Sequence, residues 1–276
     1  MSTDTGHTGA PGVTPEAPEP DDVAAPATNA DPISRATNVQ LWLQPIIVAV
    51  VAVAVIAWAF SQDLTATQKA TVNASYVWDL FLQHLALTVA ITLIVVIVAI
   101  PVGVLVTRRR FRWLAPVFIG LANIGQAAPA IGLLVLFFLW TATTGFWVGV
   151  LPIAFYSILP VLRNTMLGLR EVNPTLIDAA KGQGMSGLTV LRRIELPLAV
   201  PFILAGLRTS LVLAVGTATL CFLVDAGGLG ILIDTGYKLR DNVTLILGAV
   251  LAVCVALAVD WLGAVAEKYL SPKGLR

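Results

Sequence analysis

Long runs of apolar residues, parted by short polar segments, organise this chain from about residue 40 to its end. Ala36–Gln62 holds no Asp, Glu, Lys or Arg, and neither does Leu80–Thr107. Trp113–Leu162 continues without such a charge for 50 residues. A helix needs about 20 mostly apolar residues to cross a bilayer. The first run therefore predicts one span near 42–60, and the second predicts another, kinked at Pro101. The third run is too long for one helix, and its polar stretch Thr141-Ala142-Thr143-Thr144-Gly145 divides it into a third and a fourth span. A fifth lies in about 201–224, and Asn242–Val259 seeds a sixth that runs to about 264. The pattern predicts an all-α membrane protein with six transmembrane helices.

Composition agrees: 57% of residues are hydrophobic, 12% are charged, and the mean hydropathy is +0.86. A water-soluble core of 276 residues lacks the polar surface to cover so much apolar area. Residues 1–38 differ from the rest, with six acids against one base, Arg35, and prolines at 11, 15, 18, 20, 26 and 32. Such a segment buries too little to offset its ordering entropy and reads as a disordered acidic tail. Residues 39–74 then form the first span and a linker, 75–266 a core of five spans, and 267–276 a C-terminal tail. The polar stretch 163–197 lies within that core, between spans four and five.

Charge sets the orientation. Of 17 Lys and Arg, thirteen fall on one side of the predicted spans and three (Lys69, Lys238 and Arg240) on the other, with Arg208 inside a span. Basic residues in short loops favour the cytoplasm, so both termini are expected there, in a multi-pass protein of the cell membrane. No basic tract of nucleic-acid-binding type occurs. The only histidines are His7 and His84, and Cys221 and Cys254 lie in apolar runs, which leaves no set of residues for a metal or cofactor. His84 reads as an interface histidine near the external end of span two. Arg208 and Asp260 sit within spans, each about 10 Å from the cytoplasmic end at 1.5 Å per residue. Charges at such depth pair or face the protein interior, so the two are expected to pair. Trp140, Phe146 and Trp147 read as an aromatic belt at the external interface. Asn123, Gln126 and Tyr156 either line a translocation path or make polar contacts between helices.

Residues 163–197 carry the densest local signals. Asn173-Pro174 is a helix start, with an Asn cap followed by Pro at the first helical position. Thr175–Lys181 supplies two turns that Gly182 and Gly184 end, with Ile177, Ala180 and Gly184 on one side. Ser186 caps a second short helix, with Leu188 and Leu191 on a shared face, before Pro197 admits the fifth span. A helix–glycine–helix segment of this kind either rests on lipid or docks on a partner. The residues 182–187 spell G-x-G-x-x-G, but no strand precedes them as a dinucleotide site requires. Gly184-Met185-Ser186-Gly187 spells the G-x-S-G of intramembrane serine proteases, yet no histidine follows His84 to serve as base. No G-x-x-x-x-G-K-[ST] phosphate loop occurs anywhere.

The same segment resembles the permease subunits of ATP-binding-cassette importers. Their cytoplasmic loop carries E-A-A, three residues, G, nine residues, I, one residue, L-P. Here Asp178-Ala179-Ala180, Gly184, Ile194 and Leu196-Pro197 stand at that spacing, with Asp178 in place of the glutamate. The likeness covers roughly 75–265. Within the family, IDAAKGQGMSGLTVLRRIELPLAVPFILAGLRT and GTATLCFLVDAGGLG are similar to the osmoprotectant branch, which imports glycine betaine, carnitine and choline. The resemblance implies a type I importer fold working by alternating access and an ATPase-coupling loop of Asp178, Ala179, Ala180, Lys181, Gly182, Gly184, Ile194, Leu196 and Pro197. It also implies four kinds of partner: two ATPase subunits, a second permease, an external substrate-binding protein and the bilayer. ATP hydrolysis would reside in the partner, so the chain itself is not expected to be an enzyme, and no cofactor is implied. Transport of another small polar solute such as an amino acid, an ATP-independent carrier or channel, and a membrane scaffold are the competing readings.

Overall fold

The computed structural model describes residues 38–270. Residues 1–37 and the last six lie outside the described part, and with them the expectation of disorder over 1–38 except at Asn38, which opens the first helix. The described residues form helices and connecting turns, with no strand among them. In chain order the helices are α1 (Asn38–Ser61), α2 (Ala66–Thr71), α3 (Ala74–Thr107), α4 (Ala115–Ala127), α5 (Ala130–Thr141), α6 (Phe146–Arg170), α7 (Pro174–Gly182), α8 (Gly187–Val190), α9 (Leu196–Ala218), α10 (Gly230–Leu239) and α11 (Asn242–Leu270). Five segments are long and apolar enough to cross a membrane: α1, α3, α6, the continuous run 187–224 containing α8 and α9, and α11.

The sixth predicted crossing, third in the chain, is not one straight helix. It is the pair α4 and α5, bent by 102°. Pro129 causes the break: it has no N–H to continue α4, and its ring drives Ala128 into an extended conformation with ψ 141°. With 13 and 12 residues, α4 and α5 are each about 20 Å long at most, short of the 30 Å hydrocarbon layer. The count of six holds when the bent pair is one span.

Hydrophobicity alone does not show which side of each helix packs, because every side is apolar. The buried face of α3 is Leu80, His84, Leu87, Thr88, Ile91, Val95, Ala99, Gly103 and Val106. Its polar and small members mark the face that meets other helices. The most intimate contact is between α6 and α9. A Cβ on Gly206 would lie 2.7 Å from the Pro160 carbonyl oxygen and 2.7 Å from Asn164 Cβ. One on Gly168 would lie 2.8 Å from Phe202 Cβ. Along the same seam the Ser210 hydroxyl donates to the Ser157 carbonyl at 2.8 Å. α3 joins the pair where Gly103 rests on Thr165.

Two apolar clusters flank this seam. One joins α3, α4, α5, α6 and the distal end of α9 around Leu87, Ile91, Leu134, Ile153 and Leu162. The other joins α1, α10 and α11 to Leu80 and Val215. His84, expected near the external end of span two, is turned into the protein rather than exposed. It is fully buried, and the turn at Gly228 covers it. Charge counting alone could not reveal the chain folding back over that end of α3.

The short helices α2 and α10 have no counterpart in the hydropathy reading. Thr65 and Gln68 cap α2 reciprocally. The carboxylate of Asp241, just before α11, then gathers four bonds: from the Gln68 amide at 2.9 Å, the Val243 N–H at 3.0 Å, and the Thr244 hydroxyl and N–H. Burial alone would push this carboxyl up, but these bonds outweigh it and hold Asp241 below the ordinary carboxylate range.

Two predictions follow from packing and charge. Gly206→Ala should destabilise the detergent-purified protein by about 1–3 kcal/mol through overpacking. Gly216→Ala, with open space around its Cβ, should be neutral or stabilising. Thermal melts of both variants check this, and equal melting temperatures would refute the seam. A carboxyl whose folded value is depressed stabilises above its unfolded value and loses that contribution as pH falls through the folded one. Acidification through and below about pH 4 should therefore destabilise the wild type more than Asp241→Asn, as melts across pH will show.

Candidate functional site

The segment after α6 is built by local capping. Asn173 Oδ1 accepts from the Thr175 N–H at 2.9 Å, and Pro174 opens α7. At the other end the Met185 N–H reaches the Ala180 carbonyl at 3.1 Å and the Gly184 N–H reaches Lys181 at 2.9 Å. This double closure requires a left-handed residue between them, and Gly184 supplies it with φ +82°. Ser186 caps α8 by accepting from the Thr189 N–H at 3.3 Å. The chain reverses between two capped helices, so its path is set by its own hydrogen bonds.

α8 does not end before the next span. It runs through one wide turn, Leu191–Glu195, in which the Leu196 N–H bonds to the Leu191 carbonyl five residues back. Pro197 follows at once, and the wider turn relieves the clash its ring would make with the carbonyl four residues before it. Leu191 and Leu196 pack with Leu169, Ala199 and Ile203 and with Ile100 and Val104 of α3. The base of the loop is thus a joint between α3, α6 and α9.

The structure separates the predicted loop residues into two groups. Asp178, Ala179, Lys181, Gly182 and Gly184 are exposed; Ile194, Leu196 and Pro197 are half-buried at the joint. Ala180 is turned into the chain at 4% exposure, with Ile177 half-buried beside it, so of the side formed by Ile177, Ala180 and Gly184 only Gly184 is exposed. The outward surface is instead Leu176, Ala179, Gly182, Gly187 and Leu188, with nothing within 4 Å of a Cβ on either glycine. Leu188 and Leu191 diverge, Leu188 at 58% exposure and Leu191 packed at the joint, because the wide turn begins at Leu191.

Arg208 of α9 and Asp260 of α11 meet in a two-pronged pair, Nε–Oδ1 at 2.5 Å and Nη2–Oδ2 at 2.8 Å. Gln44 of α1 adds a bond to Asp260 at 3.2 Å and one to the Leu257 carbonyl at 3.1 Å. Three helices are tied at one level. Asn123 accepts from Arg163 of α6 at 2.8 Å. Gln126 and Tyr156 are half-buried, and among the described residues no hydrogen bond joins either to that pair. Sequence reading passed over Glu195, which is buried and paired with Arg108 at the end of α3. The signal was present as an acid two residues before Pro197, inside a basic run. Among the described residues, no group of His, Cys, Asp and Glu could hold a metal ion.

Residues 99–272 match the family described as binding-protein-dependent transport system inner membrane component. The chain is 39% identical over 194 residues to the glycine betaine/carnitine/choline transport system permease protein OpuCB of Bacillus subtilis, covering 70% of this chain and 88% of that one. It is 36% identical over 208 residues to the osmoprotectant import permease protein OsmW of Salmonella typhimurium, covering 74% and 96%. Against the carnitine transport permease protein OpuCD of Listeria monocytogenes it is 38% identical over 201 residues, covering 72% and 89%. Among solved structures, a chain of the MetNI methionine ABC transporter in an inward-facing conformation superposes with a TM-score of 0.60 at 22% identity, covering 71% of this chain and 96% of that chain. The fold is that of a type I importer permease, and the chain belongs to the inner membrane component family of binding-protein-dependent transport systems.

Proposed function

We propose that this chain is the membrane-spanning subunit of an ATP-driven importer for osmoprotectants of the glycine betaine, carnitine and choline class. The similarity to permeases named for those solutes supports the substrate class. Two such permeases, this chain with a copy or a paralogue, would enclose the path, and an external binding protein would deliver the solute. Two ATPase subunits would bind on the cytoplasmic side, and the excess of Lys and Arg supports putting the polar loop and both termini there. ATP hydrolysis would belong to those subunits, since this chain has no phosphate loop.

The observation that carries the reading is the outward face of α7 and α8. Leu176, Ala179 and Leu188 are exposed on a segment whose path its own caps already define. Small and apolar at its centre, with Asp178, Lys181, Arg192 and Arg193 exposed around it, it suits insertion into a groove on a protein partner. Because the loop is continuous with α9 and packed against α3 and α6, closure of the ATPases would tilt those spans as rigid bodies, the basis of alternating access.

Gly184 provides the test. A side chain there meets open space but must adopt a left-handed backbone, at a cost of about 1–2 kcal/mol for a residue with a Cβ. Gly184→Val should open the closure at Gly184 and redirect α8. Purified from native membranes in mild detergent, the wild type should bring down an ATPase subunit and Gly184→Val should lose it, with membrane insertion unchanged. Glycine betaine or choline uptake should fall in parallel. Retention of the ATPase and of uptake in the variant would overturn the docking role. Absence of any ATPase from the wild type would favour an ATP-independent carrier.

A further inference from the structure

Ile100 and Val104 in the last two turns of α3, and Arg108 directly after its end, follow at intervals of four and lie toward one side of the helix. All three meet the base of the loop. Ile100 and Val104 pack in the cluster that contains Leu191 and Leu196. Arg108, at the very end of α3, lays both terminal nitrogens on the two carboxylate oxygens of Glu195. The Nη1–Oε1 bond is 3.1 Å, and its Nε also donates to the Val104 carbonyl at 3.4 Å. Glu195 is the last residue of the wide turn that carries the loop into α9.

Three features separate this contact from an ordinary surface ion pair. Glu195 is 6% exposed, so its charge is largely withdrawn from water and depends on its partner. The guanidinium binds in two prongs, which fixes direction as well as distance. Glu195 also passes over a nearer base. Arg192 lies three residues before it at helical reach, yet among the described residues Glu195 pairs with Arg108, 87 positions away in the chain. The wide turn explains the choice, because it rotates Glu195 inward while Arg192 and Arg193 remain exposed.

The loop is covalently joined to α6 and α9 but not to α3. A displacement of α7 and α8 therefore reaches α6 and α9 through the backbone, and reaches α3 only through side chains. The apolar contacts of Ile100 and Val104 transmit compression, but they slip under shear or tension. A two-pronged charged pair resists both.

We infer that Arg108 and Glu195 are positioning residues that make α3 move with the loop, so that ATPase closure shifts three spans as one body. The inference rests on the docking reading above and adds to it a transmission step that docking alone does not require. Without the pair the loop still docks and ATP is still hydrolysed, but α3 lags and the path opens incompletely.

The experiment uses the full transporter in liposomes, with its binding protein and radiolabelled glycine betaine, and measures solute moved per ATP hydrolysed. Glu195→Gln keeps the shape and leaves no buried unpaired carboxylate. It should retain the co-purifying ATPase and its hydrolysis while transport per ATP falls roughly tenfold, within the usual range of coupling between sites. Arg108→Gln combined with Glu195→Gln should be no worse than Glu195→Gln alone, the signature of residues acting as a unit. Arg108→Lys, which keeps the charge but loses the fork, should fall between wild type and Glu195→Gln. If Glu195→Gln lowers transport and hydrolysis in proportion, the pair merely holds the fold and the inference is overturned. Wild-type transport per ATP in Glu195→Gln overturns it as well. Loss of the ATPase from the wild type would refute the docking reading itself, a failure visible before any variant is compared.

Discussion

Close backbone approach between α6 and α9 is the constraint on which the rest of the molecule depends. In a bilayer, apolar side chains gain nothing by leaving lipid for one another, so helices associate through tight packing and hydrogen bonds. The seam supplies both, with Gly168 and Gly206 admitting the neighbouring backbone and Ser210 bonding across to Ser157. With those two helices fixed, Gly103 lets α3 lie on Thr165 of α6. α11 then packs on α9 from the other side, and α1 packs on α11. The joint under the polar loop is the end of this same seam, since Leu169 of α6 and Ala199 and Ile203 of α9 pack there with Leu191 and Leu196. The position of the loop is therefore set by the packing inside the membrane.

Charges are spent where packing cannot specify a partner. α1 has few buried residues of its own, and apolar contact alone would let it slide along α11. The Gln44 bonds to Asp260 and Leu257 give it one register, and the Arg208–Asp260 pair gives α11 one register against α9. At the opposite end Asp241 does the same for α2 and the start of α11. Ion pairs of this kind are weak sources of stability, because desolvation offsets attraction, but a mispaired register leaves a charge stranded. Their role here is to exclude alternatives that an all-apolar surface would permit.

What the sequence discloses divides along the same line between local and distant chemistry. The Asn173 cap, Pro174, the closure at Gly184 and the Ser186 cap were all legible, because each depends on hydrogen bonds within a few residues. The spacing of Asp178, Gly184, Ile194 and Pro197 was legible in another way, through its resemblance to the loop of importer permeases. The break at Pro129 was hidden inside a 50-residue run without charge, where hydropathy carries no information about direction. Also hidden was the burial of His84, since the turn at Gly228 that covers it lies far along the chain. Glu195 was visible as a residue but not as a partner, because nothing near it in sequence hints that Arg192 is passed over for Arg108.

This division bears on how the outward face of the loop is built. A surface that formed only on meeting its partner would have to order its backbone at that moment, and the ordering cost would weaken association. Here α7 and α8 are capped by their own residues, and their joint to the membrane domain is closed by Leu191, Leu196 and Glu195. A preformed surface also changes what the partner can do to it. A flexible loop would absorb a push by bending, whereas a capped helix pair on a wide turn passes the push to whatever lies beneath. Small residues at its centre would reinforce this in the proposed docking, because Ala179, Gly182 and Gly187 carry no long side chains that could swing aside. In the proposed coupling, rigidity at the surface and pairing at the base would be two halves of one mechanical requirement, with local caps meeting the first and a long-range charge pair the second.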